Sequence, residues 1–185
     1  MVQYAKSRKT IDRFLNSGRI GDIGHVSCID RRAGQPGAKQ VDDGVGDIVT
    51  IGASQLSQIC ELLGRSPISV TARETNDGGR DCLQVFLQLD ERTVVHYFAT
   101  IDDDPCGHEL WIEGSGGSLK TDGNSVWWRK RGWPKFIPVR FGIFGARSKA
   151  PDPAAPDVLQ TALADSARTR EVVSIARPGQ TASKK

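Results

Sequence analysis

No run of apolar residues in this 185-residue sequence approaches the roughly 18 needed to cross a bilayer as a helix, and the opening MVQYAKSRKT has no apolar centre of the kind that directs secretion. A soluble, cytoplasmic protein is expected. Cys28, Cys60, Cys82 and Cys106 are widely spaced and form no CxxC pair. Four cysteines are compatible with disulfides in a secreted chain or with reduced, buried thiols in a cytosolic one, and the apolar setting of Cys60 favours the second. His25, His96 and His108 fall on or beside separate expected strands, without metal-ligand spacing or an accompanying carboxylate pattern. They read as scattered structural or surface residues, and no zinc site is expected. No Gly-x-Ser-x-Gly motif surrounds a serine, and no cysteine has local support as a nucleophile. The net charge of +3 falls short of the basic stripe of a dedicated nucleic-acid binder.

What is present is a long amphipathic helix. In GVGDIVTIGASQLSQICELLG, Gly44 to Gly64, the positions Ile48, Gly52, Leu56, Ile59, Cys60 and Leu63 recur at three- and four-residue intervals and form one core-facing stripe. On another face Asp47, Thr50, Ser54, Ser57 and Glu61 stack at the same intervals, a row of short hydrogen-bonding side chains suited to the edge of a cleft. Asp47, Thr50, Ser54 and Ser57 are therefore the candidate ligand-binding residues. Gly64 can take the left-handed conformation that ends a helix.

A short helix over 5–16, stopped by Gly18, precedes a strand through Ile23 to Cys28. The glycine-rich segment from Arg31 to Gly46 reads as a loop leading into the long helix. After Gly64 the period changes to two, and 67–74, 81–89, 93–101, 109–113 and 118–121 read as successive strands of an antiparallel sheet. In the clearest strand Leu83, Val85, Leu87 and Leu89 share an apolar face, while Cys82, Gln84, Phe86 and Gln88 share a mixed one suited to a subunit interface. Trp127, Trp128 and Trp133 belong to a further strand or its turn. The stretch 134–156 is irregular, and a closing helix runs from Leu159 to Arg177. The length fits one domain, residues 1–177, with a flexible tail over 178–185.

This order of elements, together with several motifs, resembles the C-terminal domain of the Gfo/Idh/MocA-like (glucose-fructose oxidoreductase / inositol dehydrogenase) oxidoreductases. Ser17 to Ile23 is similar to the family's SGRIGE turn. Gly44 to Gly64 is similar, without a gap, to its GGGxxxDxGxHxxDxxxxLxG helix. Ile112 to Leu119 is similar to its IxGxxGxL turn, and Ala164 to Gln180 to its closing helix and SARxGxxV end. The resemblance implies an α+β fold, an open, mostly antiparallel sheet with helices packed on one face, of the dihydrodipicolinate-reductase-like C-terminal type. It also implies an NAD(P)-dependent sugar or polyol oxidoreductase in which a separate Rossmann domain holds the cofactor, and a sheet face that pairs with a second copy or a Rossmann-containing relative.

Two features depart from that pattern. The dinucleotide fingerprint requires GxGxxG between a strand and a helix, so that pyrophosphate meets free backbone N–H groups, and the chain offers only GSGGS at 114–118 inside a run of strands. Nor is the family's Glu-Lys-Pro motif present. Second, the family's catalytic Asp and His fall on Thr50 and Ser54, and its following Asp falls on Ser57. Unassisted hydroxyls cannot serve as an acid and base near neutral pH, although they can hydrogen-bond a polyhydroxylated ligand. Asp43 or Asp47 is the available replacement base, with stabilisation of the helix N-terminus as the competing role for Asp47. The catalytic residues are therefore left open, and the chain alone is expected to bind no cofactor and no metal.

WWRKRGWPK, 127–135, interleaves aromatics with cations as base-stacking surfaces do, but such tryptophans more often pack beneath lysine and arginine stems or stack on a sugar, and a nucleic-acid partner is not expected. Three functions follow: a stand-alone or truncated oxidoreductase domain supplying substrate binding or oligomerisation, a non-catalytic binding or scaffolding subunit, and, last, an independent lyase or isomerase.

Overall fold

The computed structural model describes residues 7–33, 45–77, 80–102, 106–139 and 156–175, with the side chains of 45–47, 77, 102 and 156 outside the description. Helix α1, Arg8–Asn16, buries Thr10, Ile11 and Phe14 and stops where Gly18 turns to φ +69°. Strand β1, Ile23–Ala33, leads toward α2, Val45–Leu63. Then come β2, Ser69–Asp77; β3, Arg80–Gln88; β4, Val94–Asp102; β5, Gly107–Gly114; β6, Gly117–Thr121; β7, Val126–Lys130; β8, Ile137–Pro138; α3, Pro156–Thr169; and β9, Val173–Ser174.

The strands form one sheet in the order β8-β7-β6-β5-β1-β4-β3-β2-β9. Every pairing in it is antiparallel except β1 with β4. A parallel pair needs a long crossover, and α2 with the β2–β3 hairpin supplies it. The sheet is thus open and mostly antiparallel, the α+β architecture that the resemblance implies. Residues alternating on one face form the core: Val26 and Cys28, Val70 and Ala72, Leu83, Val85 and Leu87, Val95, Tyr97 and Ala99, Leu110 and Ile112, and Leu119 are all buried. Against them lie Ile48, Leu56 and Ile59 of α2 and Leu159 and Leu163 of α3.

The two glycine turns that carry part of the resemblance pack on each other. Ser115 N donates to Asp22 O at 2.9 Å and Gly116 N to Ile20 O at 2.8 Å. A Cβ on Gly114 would stand 2.3 Å from Ile20 O, and one on Gly116 2.8 Å from Arg19 O, so contact between the two backbones requires glycine at both positions.

Three expectations are corrected. Arg31 to Ala33 are not loop but the end of β1, because Arg31, Arg32 and Ala33 find partners at Thr100, Ile101 and Asp102 of β4. The closing helix ends at Thr169, where Arg170 takes φ +60°; Val173 then pairs with Val70, and Ile175 N donates to Ile68 O, satisfying the outer edge of β2. The four thiols are not all buried: Cys28 and Cys60 are, Cys82 is half-buried, and Cys106 is exposed. The expected tail, 178–185, lies outside the described residues. Among the described residues no helix is long and apolar enough to cross a membrane.

Candidate functional site

The expected polar row on α2 divides among four environments. Thr50 is exposed and its Oγ1 accepts a hydrogen bond from Gln160 Nε2 of α3 at 2.9 Å. Ser54 is exposed one turn further on. Ser57 is half-buried, and its hydroxyl oxygen has no hydrogen-bond partner among the described residues. Glu61, last in the row, receives Arg8 Nη2 of α1 at 2.7 Å, which holds that guanidinium above its ordinary pKa. The side chain of Asp47 and all of Asp43 lie outside the described residues. Thr50 and Ser54 are thus the two candidates with exposed side chains on one helix edge.

On β1 lies a buried charged cluster that sequence reasoning missed. Asp30 alternates inward with Val26 and Cys28 on β1 and is 1% exposed. Its Oδ2 accepts Arg32 Nε at 3.1 Å and the Tyr97 hydroxyl at 3.4 Å, and Arg32 Nη2 lies 3.0 Å from the same oxygen. His108, cross-strand from Asp30 on β5, places Nδ1 3.9 Å from Oδ1. Burial is the largest influence on His108 and pushes its pKa below the usual imidazole value despite the nearby Asp30 carboxylate. Burial and the Asp30 charge push Tyr97 far upward, so it remains a phenol that can donate. The available signal was a carboxylate at an inward position of an alternating strand; treating 31–46 as loop cut that pattern short. His25 and His108 do have carboxylate neighbours, Glu113 at 3.8 Å and Asp30, because cross-strand pairing joins residues far apart in the chain.

Next to the cluster a concavity of about 310 Å³ opens over the ends of β1 and β5, lined by Ile29, Arg31, Cys106, His108, Glu109 and Asp122, among others. Ala33 N donates to Cys106 Sγ at 3.2 Å on its rim. One cation, Arg31, and two carboxylates, Glu109 and Asp122, in one hollow offer both donors and acceptors, as a hydroxyl-rich ligand needs. Among the described residues no group of three or more His, Cys, Asp or Glu is arranged to hold a metal.

Among the described residues the far side of the sheet carries no helix. Phe86 is 47% exposed there, and its ring stacks on His96 with centroids 4.6 Å apart and planes within 5°. Gln84 and His96 are in hydrogen-bond contact at 3.2 Å. Toward β7 on this side, Lys120 Nζ stands 5.1 to 5.3 Å from the rings of Trp111, Trp127 and Phe136, whereas on the helix-covered face Arg19 lies over Phe14 of α1 and Trp128. Trp127 and Trp128 thus pack with cationic side chains of their own chain.

No protein-family model matches the sequence, and no curated protein sequence matches it. Solved structures do. Levoglucosan dehydrogenase in complex with NADH and L-sorbose superposes with a TM-score of 0.69 at 12% identity, over 95% of this chain and 65% of its own. An NAD binding oxidoreductase from Klebsiella pneumoniae gives a TM-score of 0.67 at 16% identity, over 96% and 65%. The super-repressor mutant of Gal80p from Saccharomyces cerevisiae gives 0.67 at 10% identity, over 94% and 63%. The chain therefore has the fold of the C-terminal domain of Gfo/Idh/MocA-type oxidoreductases. It spans about 65% of the length of the chains it matches.

Proposed function

We propose that this chain is the ligand-binding and assembly part of an oxidoreductase-like protein, that its ligand is a sugar or polyol, and that any NAD(P) is held by a Rossmann-type unit rather than by the residues of this sheet domain. The observation that carries the reading is the pairing of this fold with Thr50 and Ser54 at the helix positions where the family resemblance places Asp and His. Asp47, Thr50, Ser54 and Ser57 are assigned to substrate binding. The hydroxyls of Thr50, Ser54 and Ser57 supply neutral hydrogen bonds worth about 0.5–1.5 kcal/mol each and no proton transfer near neutral pH. The uncovered sheet face is assigned to a second copy of the chain or to a Rossmann-containing relative. The absence of any disulfide among the four cysteines supports a cytoplasmic location.

Calorimetric titration of the chain with candidate polyols and with NAD and NADP tests this reading. The expected result is polyol binding that weakens several-fold in Thr50→Ala and Ser54→Ala, with no dinucleotide binding. Micromolar NAD(P) binding, or polyol oxidation by the wild-type chain alone, would overturn it. A second reading, a non-catalytic binding or scaffolding subunit, is favoured by the same two hydroxyl residues and by the occurrence of this fold in Gal80p. Thr50→Ala and Ser54→Ala leave the two readings together; the double change Thr50→Asp, Ser54→His separates them. Oxidation that appears only when this variant meets a nicotinamide-bearing partner favours the first, since the acid–base pair has no hydride acceptor of its own. The independent lyase or isomerase comes last, because Asp43 and Asp47 are its only proposed bases.

A further inference from the structure

The uncovered face of the sheet has a symmetry that chain order hides. One row of cross-strand neighbours runs Arg73 on β2, Gln84 on β3, Phe98 on β4, Ile29 on β1 and Glu109 on β5. Arg73 and Glu109 are both exposed, and each stands two strands from β4 on opposite sides, roughly 10 Å away at normal strand spacing. Neither makes an ion pair among the described residues. The adjacent row runs Thr71, Phe86, His96, Ser27 and Trp111, so His96 occupies β4 as Phe98 does.

Resting on the reading that a second copy of this chain covers this face, we propose that the two copies meet about a two-fold axis along β4, with Arg73 of each facing Glu109 of the other and His96 facing its own symmetry mate, so that the assembly holds while His96 is neutral and opens when it is protonated. Rotation about an axis along β4 carries β2 over β5 and β3 over β1. Opposite charges then meet twice, and each Phe86 ring falls over the small side chain of Ser27. Sheets packed face to face lie about 10 Å apart, a gap that arginine and glutamate side chains together span. An axis along β1 carries β2 over β7 instead, setting Arg73 against the strand that bears Arg129 and Lys130.

Burial and a neighbouring imidazole favour the neutral form of His96. From β3 it meets Phe86 and Gln84, and from β1 Ser27 and the more distant His25; the helices pack on the opposite face. Burial first, and His25 second, lower its pKa from the ordinary value. The nearest carboxylate contact in this area belongs to His25, whose Nδ1 stands 3.8 Å from Glu113. A second imidazole at the dyad adds desolvation and, after protonation, like-charge repulsion.

Sedimentation equilibrium of the whole chain at pH about 8 and about 5.5 tests this, since those values bracket the ordinary histidine range. The expected result is a dimer at the higher pH, with Kd at least about tenfold weaker at the lower one. His96→Gln should dimerise with the same Kd at both. Arg73→Glu should weaken the dimer, and adding Glu109→Arg should restore it. A monomer at both pH values defeats the second-copy reading itself. A dimer with a pH-independent Kd, or a His96→Gln dimer that still opens in acid, overturns the switch alone; a charge reversal without rescue overturns the β4 axis.

Discussion

Gly52 on α2 stands directly against Tyr97 on β4: a Cβ at position 52 would lie 3.3 Å from the Tyr97 ring and 2.6 Å from Leu83 Cδ2. Both neighbours are fully buried, so neither has solvent space to yield into. The same Tyr97 donates to Asp30, so this close helix–sheet approach links the core face of α2 to the buried charge cluster.

Gly52→Ala should therefore destabilise the protein, although alanine is the better helix former by about 1 kcal/mol. Overpacking a tight core costs about 1–3 kcal/mol, and less the helix gain of about 1 kcal/mol the net expectation is a loss of up to about 2 kcal/mol in urea unfolding. An unchanged or raised midpoint would show that α2 can lift off the sheet without cost.

Asp30→Ala removes the acceptor shared by Arg32 and Tyr97. Breaking a buried ion pair costs about 3–5 kcal/mol, but Arg32 is a third exposed and can turn to water, so about 2–3 kcal/mol is expected. Asp30→Asn keeps an oxygen for the Tyr97 hydroxyl and should lose less. Equal losses in the two variants would argue that the carboxylate charge carries the effect.

Stability should fall on acidification below the ordinary histidine value of 6.5. His96 and His108 are held below it, chiefly by burial, so the unfolded chain binds their protons first and unfolding is favoured as pH drops toward the folded-state pKa values. Above that window neither residue contributes to the pH dependence. His108→Gln should flatten the slope between pH about 7 and about 5.5 in denaturant titrations. Burial raises Asp12 and Glu74, giving the opposite slope at lower pH, where folded-state carboxyls take protons first.

Thiol labelling of the native protein should follow burial. Cys106 is exposed and should react first, with Cys82 slower. Cys60 is 2% exposed and burial pushes its thiol up to about 12, so it and Cys28 should react only on unfolding. Mass spectrometry of partly alkylated protein checks the order, and early modification of Cys60 would place α2 off the core.

Much of the fold was legible because it rests on local periodicity. The run Gly44 to Gly64 carries its own core stripe and terminator, and α2 ends at Leu63 with Gly64 at φ +64°. In β3 the alternation separates buried Leu83, Val85 and Leu87 from half-buried Gln84 and exposed Phe86. Periodicity misleads where pairing outweighs propensity: Val172 and Val173 fit a helical stripe, yet the unpaired edge of β2 draws Val173 into β9. The candidate site was legible only by residue type, since Thr50, Ser54 and Ser57 share an edge in sequence but meet α3, solvent and the interior respectively.

By itself the sequence determined where most helices and strands lie and which faces are apolar, because side-chain spacing and backbone preference act over a few residues, while strand ends such as 31–33 and 173–174 were fixed by pairing. It also determined that hydroxyls occupy positions 50 and 54. Only the tertiary structure decided that β1 lies between β4 and β5. That insertion brings His108 to Asp30 across 78 positions of sequence and sets Arg73 and Glu109 at equal distances from β4. Strand order is a long-range choice governed by burial of the whole sheet, and no local pattern of residues records it.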